Sequence, residues 1–380
     1  MIPEAARCVK CGLCLAECPT YQYSINEAMS PRGRITLIQA LVQGQVNVDG
    51  YAHEVLHSCL LCRRCEAMCP SDVPFALVMD QGRALVRSRQ GLNEKLLIAL
   101  LPSRFFTRLL ARLGKAVLPV STRLGSLLAH VHPEAPEPGG SYLPTTKTLV
   151  GRVGLFTGCT GSLFDSAALE GAIALLRHAG YEVQIPRDQG CCGALDAHGG
   201  NAAKAAHLAA SNEAVFARLG ELDAVVSIAS GCGAQLAGYS VLGEKHADIC
   251  SFLMQEKVLS RLRFRPLAQH VAVHIPCTLE NVLHGGDAVL QLLRHIPRLQ
   301  LERVGHRGSC CGAGGTAFLM QPDMAEHLRV PVVQQIAELM PDLVLSSNVS
   351  CRLHLQAGAG SDGPGYMHPV TLLAQQLIRG

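Results

Sequence analysis

After a Ser-Pro start, the apolar residues Ile35, Leu37, Ile38 and Leu41 recur at helical intervals within residues 31–57. One helix is predicted there. The run VPFALVMDQGRALVRSRQ repeats the spacing at Phe75, Leu77, Val78, Leu85 and Val86, so residues 1–90 read as an all-helical domain. Residues 92–132 change character. They carry Lys95, Arg104, Arg108, Arg112, Lys115 and Arg123, with no acidic side chain between Lys95 and Pro133. Phe105, Phe106, Leu109, Leu110 and Leu113 fall among these cations, which predicts basic amphipathic helices. Their apolar face suits a partner or an anionic membrane surface; equally, they bridge two domains with solvated arginines. The stretch PEAPEPGGSYLPTT then reads as a linker, closing a segment of residues 91–150.

The remainder is an internal repeat. RVGLFTGC (152–159) and HVAVHIPC (270–277) are strand-like runs ending in cysteine, each followed by a helical stretch. GCCGA (190–194) and SCCGA (309–313) come next, then a second helical stretch, then AVVSIASGC (224–232) and LVLSSNVSC (343–351). The gap from the first cysteine to the pair is 32 residues in one copy and 33 in the other, and the following gap is 40 in both. Alternating strands and helices predict two similar α/β lobes, residues 151–269 and 270–380, with largely parallel sheets. Ligands of such sheets gather beyond the strand carboxyl ends, where Cys159, Cys232, Cys277 and Cys351 should meet the pairs Cys191-Cys192 and Cys310-Cys311. Glycines beside the pairs (Gly190, Gly193, Gly199, Gly200, Gly308, Gly312, Gly314, Gly315) let backbone N–H groups approach an anionic, sulfur-rich ligand. The GAGG segment lacks both the Lys-Ser/Thr of a phosphate loop and the third glycine of a dinucleotide fingerprint.

A chain of 380 residues exceeds one core, so several domains are expected. No apolar run is long enough to span a membrane, and a net charge of +3 gives no basic footprint for nucleic acid. Seventeen cysteines change the picture most. Cys8, Cys11, Cys14 and Cys18 form C-x2-C-x2-C-x3-C before Pro19, and Cys59, Cys62, Cys65 and Cys69 repeat it before Pro70. This is the bacterial ferredoxin pattern. In two-cluster ferredoxins the fourth cysteine ligates the other cluster, which assigns Cys8, Cys11, Cys14 and Cys69 to one [4Fe-4S] and Cys59, Cys62, Cys65 and Cys18 to its partner. Disulfides need an oxidising compartment, and MIPEAARC has no secretory h-region; structural zinc pairs two knuckles across a longer gap. The expected location is therefore cytoplasmic, and should the basic segment meet lipid rather than bridge domains, peripheral on the cytoplasmic face of the inner membrane. Arg63 and Arg64, beside Cys62 and Cys65, should raise the potential of that cluster. Cys250 belongs to no set and reads as a buried free thiol. His274, His306 and His354 lie near the cysteine pairs, as core or solvent residues or as neighbours of a cluster or quinone.

With both ferredoxin motifs, the SPRGR segment, ASGCGAQL, CLLCRRCEAMCPS and two CCG modules in this order, the chain resembles the glycolate oxidase iron-sulfur subunits over nearly its whole length. More loosely, it is similar to lactate-utilisation iron-sulfur proteins, the small subunit of anaerobic glycerol-3-phosphate dehydrogenase, and heterodisulfide reductase subunits. The resemblance implies an α+β multidomain protein: a helical two-cluster ferredoxin domain followed by two α/β CCG lobes. It implies an electron-transfer subunit whose flavoprotein partner oxidises glycolate to glyoxylate, with electrons passing to a quinone or other acceptor. The substrate and flavin site would lie on that partner chain. Lactate or glycerol-3-phosphate as the substrate of the complex, and a non-catalytic metal-binding assembly protein, are the alternatives.

The full CCG motif of the heterodisulfide reductase family has five cysteines, and here Ala229 and Asn348 stand in place of one in each copy. Four thiols per lobe remain: Cys159, Cys191, Cys192 and Cys232, then Cys277, Cys310, Cys311 and Cys351. Each set suffices for one further [4Fe-4S] or forms a thiol cluster without metal.

Overall fold

The SPRGR segment builds the first long helix and anchors it. Ser30 accepts a hydrogen bond from the Gly33 N–H at 3.0 Å, and Pro31 starts helix α1 (Pro31–Val42). A Cβ on Gly33 would sit 1.9 Å from the carbonyl oxygen of Glu27, so only glycine fits. Arg34 is fully buried and donates to Val55 O (2.9 Å), Thr20 Oγ1 (2.9 Å) and Ser58 Oγ (2.8 Å). Thr20 follows Cys18 and Ser58 precedes Cys59, so one guanidinium ties the end of the first cysteine loop to the start of the second.

This computed structural model describes residues 2–100, 102–117, 131, 139–159, 161–305, 310–360 and 363–379. Arg123, His306, Gly308, Ser309 and residues 133–138 of the linker lie outside the described residues, as do the side chains of Arg104, Leu110 and Lys115. The single helix predicted over 31–57 is two. Gly44, at φ +69°, closes α1, and Asp49 accepts from Ala52 N at 2.7 Å to cap α2 (Gly50–His57). Helix α3 (Phe75–Val86) packs Phe75, Val78, Met79 and Val86 against both, leaving Leu77 and Leu85 exposed. Helices α4 (Leu92–Leu100) and α5 (Arg104–Val117) follow, as the basic segment predicts.

The rest forms two lobes of one plan. In the first, β2 (Gly151–Phe156) lies between parallel β3 (Tyr181–Ile185) and β4 (Ala224–Ser227), with β5 (His246–Asp248) beyond β4. In the second, β6 (His270–His274) lies between β7 (Gln300–Val304) and β8 (Leu343–Ser346), with β9 (Gly365–Met367) beyond. Val153 faces Val183 and Ala224, just as Val271 faces Leu301 and Leu343. β4 and β8 are buried throughout, as parallel strands covered on both faces must be. Part of the expected linker is structured: β1 (Gly140–Tyr142) pairs antiparallel with the edge of β3. The unpaired edge of β3 supplies hydrogen-bond partners that a Gly-Ser-Tyr stretch can use despite its loop-like composition.

Helices α6 (Ser166–His178) and α7 (Ala202–Ala217) connect the strands of the first lobe, while α10 (Gly286–Leu293) and α11 (Pro322–Leu339) do so in the second. The last helix, α13 (Pro369–Gln376), crosses back onto α6. A Cβ on Gly171 of α6 would lie 3.0 Å from Val370 O and 3.1 Å from Ala374 Cβ, which sets how closely the two helices approach. One apolar core runs through both lobes, with Val153, Leu155 and Leu175 joined to Val271, Leu345 and Leu373. Cys250 is fully buried in it, as the free-thiol reading expects.

Arg34→Lys leaves a charge but cannot reach three acceptors at once. It is expected to destabilise the helical domain by roughly 2–4 kcal/mol, because buried acceptors lose their donors. Denaturant unfolding of the anaerobic protein measures this; an unchanged midpoint would remove Arg34 as the tie between the loops.

Candidate metal centre

Each ferredoxin-type loop curls by the same means. Lys10 and Gly12 in the first loop, and Leu61 and Arg63 in the second, occupy matching places between cysteines and all have positive φ (56°, 89°, 48° and 56°). Three of these residues are not glycine, so the loops hold strain that a bound ligand would offset. Leu61 N lies 3.4 Å from Cys59 Sγ, and the i+2 N–H to sulfur contact recurs as Gly193 N to Cys191 Sγ and Gly312 N to Cys310 Sγ, both 3.4 Å. Gly193 and Gly312 have φ of 84° and 90°, the freedom the glycine-rich pairs suggested.

Burial pushes the Cys62 and Cys65 thiols well above their ordinary range; Cys62 is pushed further by Cys277 and then by Cys59 and Cys18, and Cys65 by Cys62 and then by the same two. Cys18 thus lies near cysteines of both loops, since Cys14 also feels it. Cys14 is raised by burial and lies close enough to feel Cys8 and Cys18. Cys8, Cys14 and Cys69 all pack against the helical core, whereas Cys11 is exposed.

In the first lobe, Cys159 ends the β2 turn, Cys191 and Cys192 follow β3, and Cys232 lies in α8 (Ser230–Leu236). Cys159 Sγ is 3.8 Å from Cys191 Sγ. Contacts with Cys159 and Cys192 bring the Cys191 thiol down to about 3, at the expense of Cys159 and Cys192, which rise well above the ordinary range. In the second lobe Cys277 opens α9 (Cys277–Asn281), and thiol contacts run from Cys277 through Cys310 and Cys311 to Cys351 in α12 (Val349–Gly358). All four thiols there stay above the ordinary value; for Cys277 the contact with Cys310 comes first and burial second.

These sets share one space. A cavity of about 330 Å³ is lined by Cys159, Cys191, Cys192 and Cys232 of the first lobe, Cys277, Cys310 and Cys351 of the second, and Cys59 of the second ferredoxin loop. Cys62 packs with Leu60, Cys310 and Met324, and its carbonyl accepts from Asn281 Nδ2 at 2.7 Å. The places of the missing fifth cysteines, Ala229 and Asn348, also line the cavity, and Asn348 serves the seam between lobes. Asn348 Nδ2 reaches Ser230 Oγ at 3.2 Å, Ser230 N donates to Ser347 O at 3.2 Å, and Ser230 Oγ lies 2.9 Å from Thr278 Oγ1. The donor set suits iron-sulfur ligation: quartets of mostly buried thiols in the lobes, backbone N–H groups on sulfur, and apolar walls.

Sequence reasoning missed what secures the Cys191-Cys192 turn. Asn212 accepts from Gly190 N (2.8 Å) and donates to Cys191 O (2.9 Å), while Tyr239 donates to Cys192 O (2.8 Å). Gln189 accepts from Thr157 N at 2.8 Å, holding the turn to the strand that carries Cys159. No spacing marks these residues; only the topology brings them together. The expected role of Arg63 and Arg64 needs correction, since Arg63 pairs with Glu66 at 2.5 Å and Arg64 with Glu17. Among the described residues Arg83, 4% exposed, is a cation at the second loop without a carboxylate contact, and its guanidinium donates to the carbonyls of Cys59, Leu56 and His198. His274 bonds Ser346 Oγ at 3.1 Å and is brought down to about 4 by burial and Arg303; His354 bonds Ala325 O at 3.1 Å. Both are core histidines. Among the described residues no helix is long and apolar enough to cross a membrane.

The 4Fe-4S dicluster domain family matches residues 4–73, and the cysteine-rich domain family matches residues 153–237 and 271–356. The chain is 30% identical to the glycolate oxidase iron-sulfur subunit of Escherichia coli, over 93% of this chain and 90% of that protein. It is 28% identical to the probable glycolate oxidase iron-sulfur subunit of Bacillus subtilis, over 95% and 90%. Lactate utilization protein A of Geobacillus kaustophilus is 26% identical, over 54% of this chain and 90% of its own.

Asn212→Ala leaves a buried N–H and a buried carbonyl unpaired at the cysteine turn, an expected loss of about 2–3 kcal/mol. Thermal unfolding and the rate at which Cys191 reacts with a thiol reagent should both report it; wild-type values in both would mean the turn holds without Asn212.

Proposed function

The chain belongs to the family of glycolate oxidase iron-sulfur subunits, and we propose that it passes electrons within a complex that oxidises glycolate to glyoxylate. The oxidation removes two electrons and two protons at carbon, chemistry that a flavin supplies, so the substrate site belongs to a flavoprotein partner chain. Cys8, Cys11, Cys14 and Cys69 would hold one [4Fe-4S], and Cys59, Cys62, Cys65 and Cys18 a second. The quartets Cys159, Cys191, Cys192, Cys232 and Cys277, Cys310, Cys311, Cys351 would each hold one further cluster. Clusters of this kind supply one-electron transfer.

The observation that carries this reading is the continuity of sulfur. Cys18 joins the first loop to the second, and Cys62 joins the second loop to Cys277 and Cys310 across packed apolar side chains. The protein's own groups set the surroundings: Leu60 and Met324 exclude water, Arg83 offsets negative charge at Cys59, and backbone N–H groups point at sulfur. The acceptor would be a quinone or another electron carrier. Helix α5 exposes Phe105, Phe106, Leu109 and Leu113, and contact of this face with the cytoplasmic side of a membrane would bring the chain to a quinone pool. Full-length similarity to glycolate oxidase subunits favours glycolate over lactate, since the lactate utilization relative covers about half of the chain.

Anaerobic purification tests the cofactors. A brown protein with a reducible electron paramagnetic resonance signal is expected, with about sixteen irons per chain if all four sites are filled and about eight if only the loops are. A colourless, zinc-loaded protein would sink the proposal. In the complex, Cys62→Ser should abolish glycolate-dependent reduction of a distant dye while the partner's flavin is still reduced. Retained turnover would show that electrons bypass the second loop.

A further inference from the structure

Outside every cysteine set, two histidines and a glutamate converge beneath the second loop. His53 and His57 lie one turn apart on α2, their rings stacked with centroids 4.1 Å apart and 19° between planes. Glu94, from the first turn of α4, reaches back between them: its Oε1 is 3.0 Å from His57 Nδ1 and its Oε2 is 3.3 Å from His53 Nε2. All three side chains are largely withdrawn from solvent, at 19%, 11% and 12% exposure. One nitrogen of each ring and one carboxylate oxygen lie within 4.8 Å of one another. The Nε2 atoms of both rings are buried without a hydrogen-bond partner.

A carboxylate facing two imidazoles can be satisfied by protons or by a cation. Glu94 meets both imidazoles, His57 Nδ1 at 3.0 Å and His53 Nε2 at 3.3 Å, and the His53 contact lacks good hydrogen-bond alignment. Four-coordinate zinc has bonds of about 2.0–2.2 Å, which places its ligand atoms roughly 3.3 Å apart. The two contacts to Glu94, one to each carboxylate oxygen, are close to that spacing, and one donor atom from each of the three residues lies within 4.8 Å of the others. Glu94 Oε1 also accepts from Gln90 Nε2 at 3.2 Å, and the same amide donates to Gly199 O of the first lobe at 2.9 Å, an outer partner of the kind that orients ligating carboxylates. Arg83, the neighbouring cation, is turned toward carbonyls.

The geometry points to a zinc-type divalent cation site formed by His53, His57 and Glu94, separate from the iron-sulfur ligands. Its place gives it work. Helix α2 ends at His57, two residues before Cys59, so a cation there would clamp the root of the second loop to α4 and, through Gln90, to the first lobe. The role is structural, and it does not depend on which substrate the complex oxidises.

The test uses the full chain with its iron in place, prepared anaerobically, treated with a mild chelator and dialysed against Zn²⁺, with zinc and iron counted in the same samples. One zinc per chain is expected, in a nitrogen and oxygen shell at about 2.0–2.1 Å by zinc-edge X-ray absorption, with a raised thermal midpoint. Glu94→Gln and His53→Ala should each bind zinc at least about tenfold more weakly with iron unchanged. No zinc uptake by the native chain, a sulfur shell, or undiminished binding by both variants overturns the site. Should His53→Ala also lose iron, the near-isosteric Glu94→Gln decides. The absorption spectrum of the native chain, which needs no variant, discriminates independently of either.

Discussion

Thiolates gathered in an apolar interior repel one another and lose their hydration, and the whole architecture answers to that constraint. Burial holds Cys62 and Cys65 above the ordinary range, and the thiols of the second lobe stay raised together. In the first lobe the thiol contacts bring Cys191 down while Cys159 and Cys192 are raised. Without a cation such sets can ionise only in part. Iron bound there would remove the difficulty by supplying positive charge where the sulfurs meet, so that metal binding and folding would draw on one interaction.

The duplicated lobe is a way of aiming several sulfurs at one place. Parallel strands end on the same side of a sheet, and β2, β4, β6 and β8 each deliver a cysteine within a few residues of their carboxyl ends. The shared core and the crossing of α13 onto α6 then fix one sheet relative to the other. At the seam Asn348 and Ser230 bond across the lobes. A thiol at position 348 could not cap α12 and reach Ser230 as the asparagine amide does, so the loss of the fifth cysteine comes with a gain in lobe contact.

Period and spacing made the cysteine loops, the parallel lobes and the basic helices legible, because each repeats a local rule several times. The rest depended on tertiary placement. Gly44 and Asp49 broke a predicted helix through local capping that the apolar period overrides on paper. Arg63 and Arg64 looked like the cations of the second loop because they adjoin its cysteines, yet Glu66 and Glu17 take their charge, and Arg83 arrives from α3 instead. Asn212, Tyr239 and Gln189 carry no motif; they matter only because α7, α8 and the strand turns meet around the cysteine pair.

Identical spacing does not make the two ferredoxin loops equivalent. Cys11 is exposed, with Val9 and Leu13 at 70% and 58% exposure around it, whereas Cys62 is buried against the second lobe and Cys65 in the helical core. A cluster in the first loop would meet water, and one in the second would meet Leu60, Met324 and the Arg83 guanidinium. Exclusion of solvent disfavours the more negative, reduced state, while a buried cation and N–H groups on sulfur favour it. At the second loop these effects oppose each other, so its potential rests on a balance that burial alone would tilt downward. Arg83 restores that balance from inside the fold, where salt in solution screens it little.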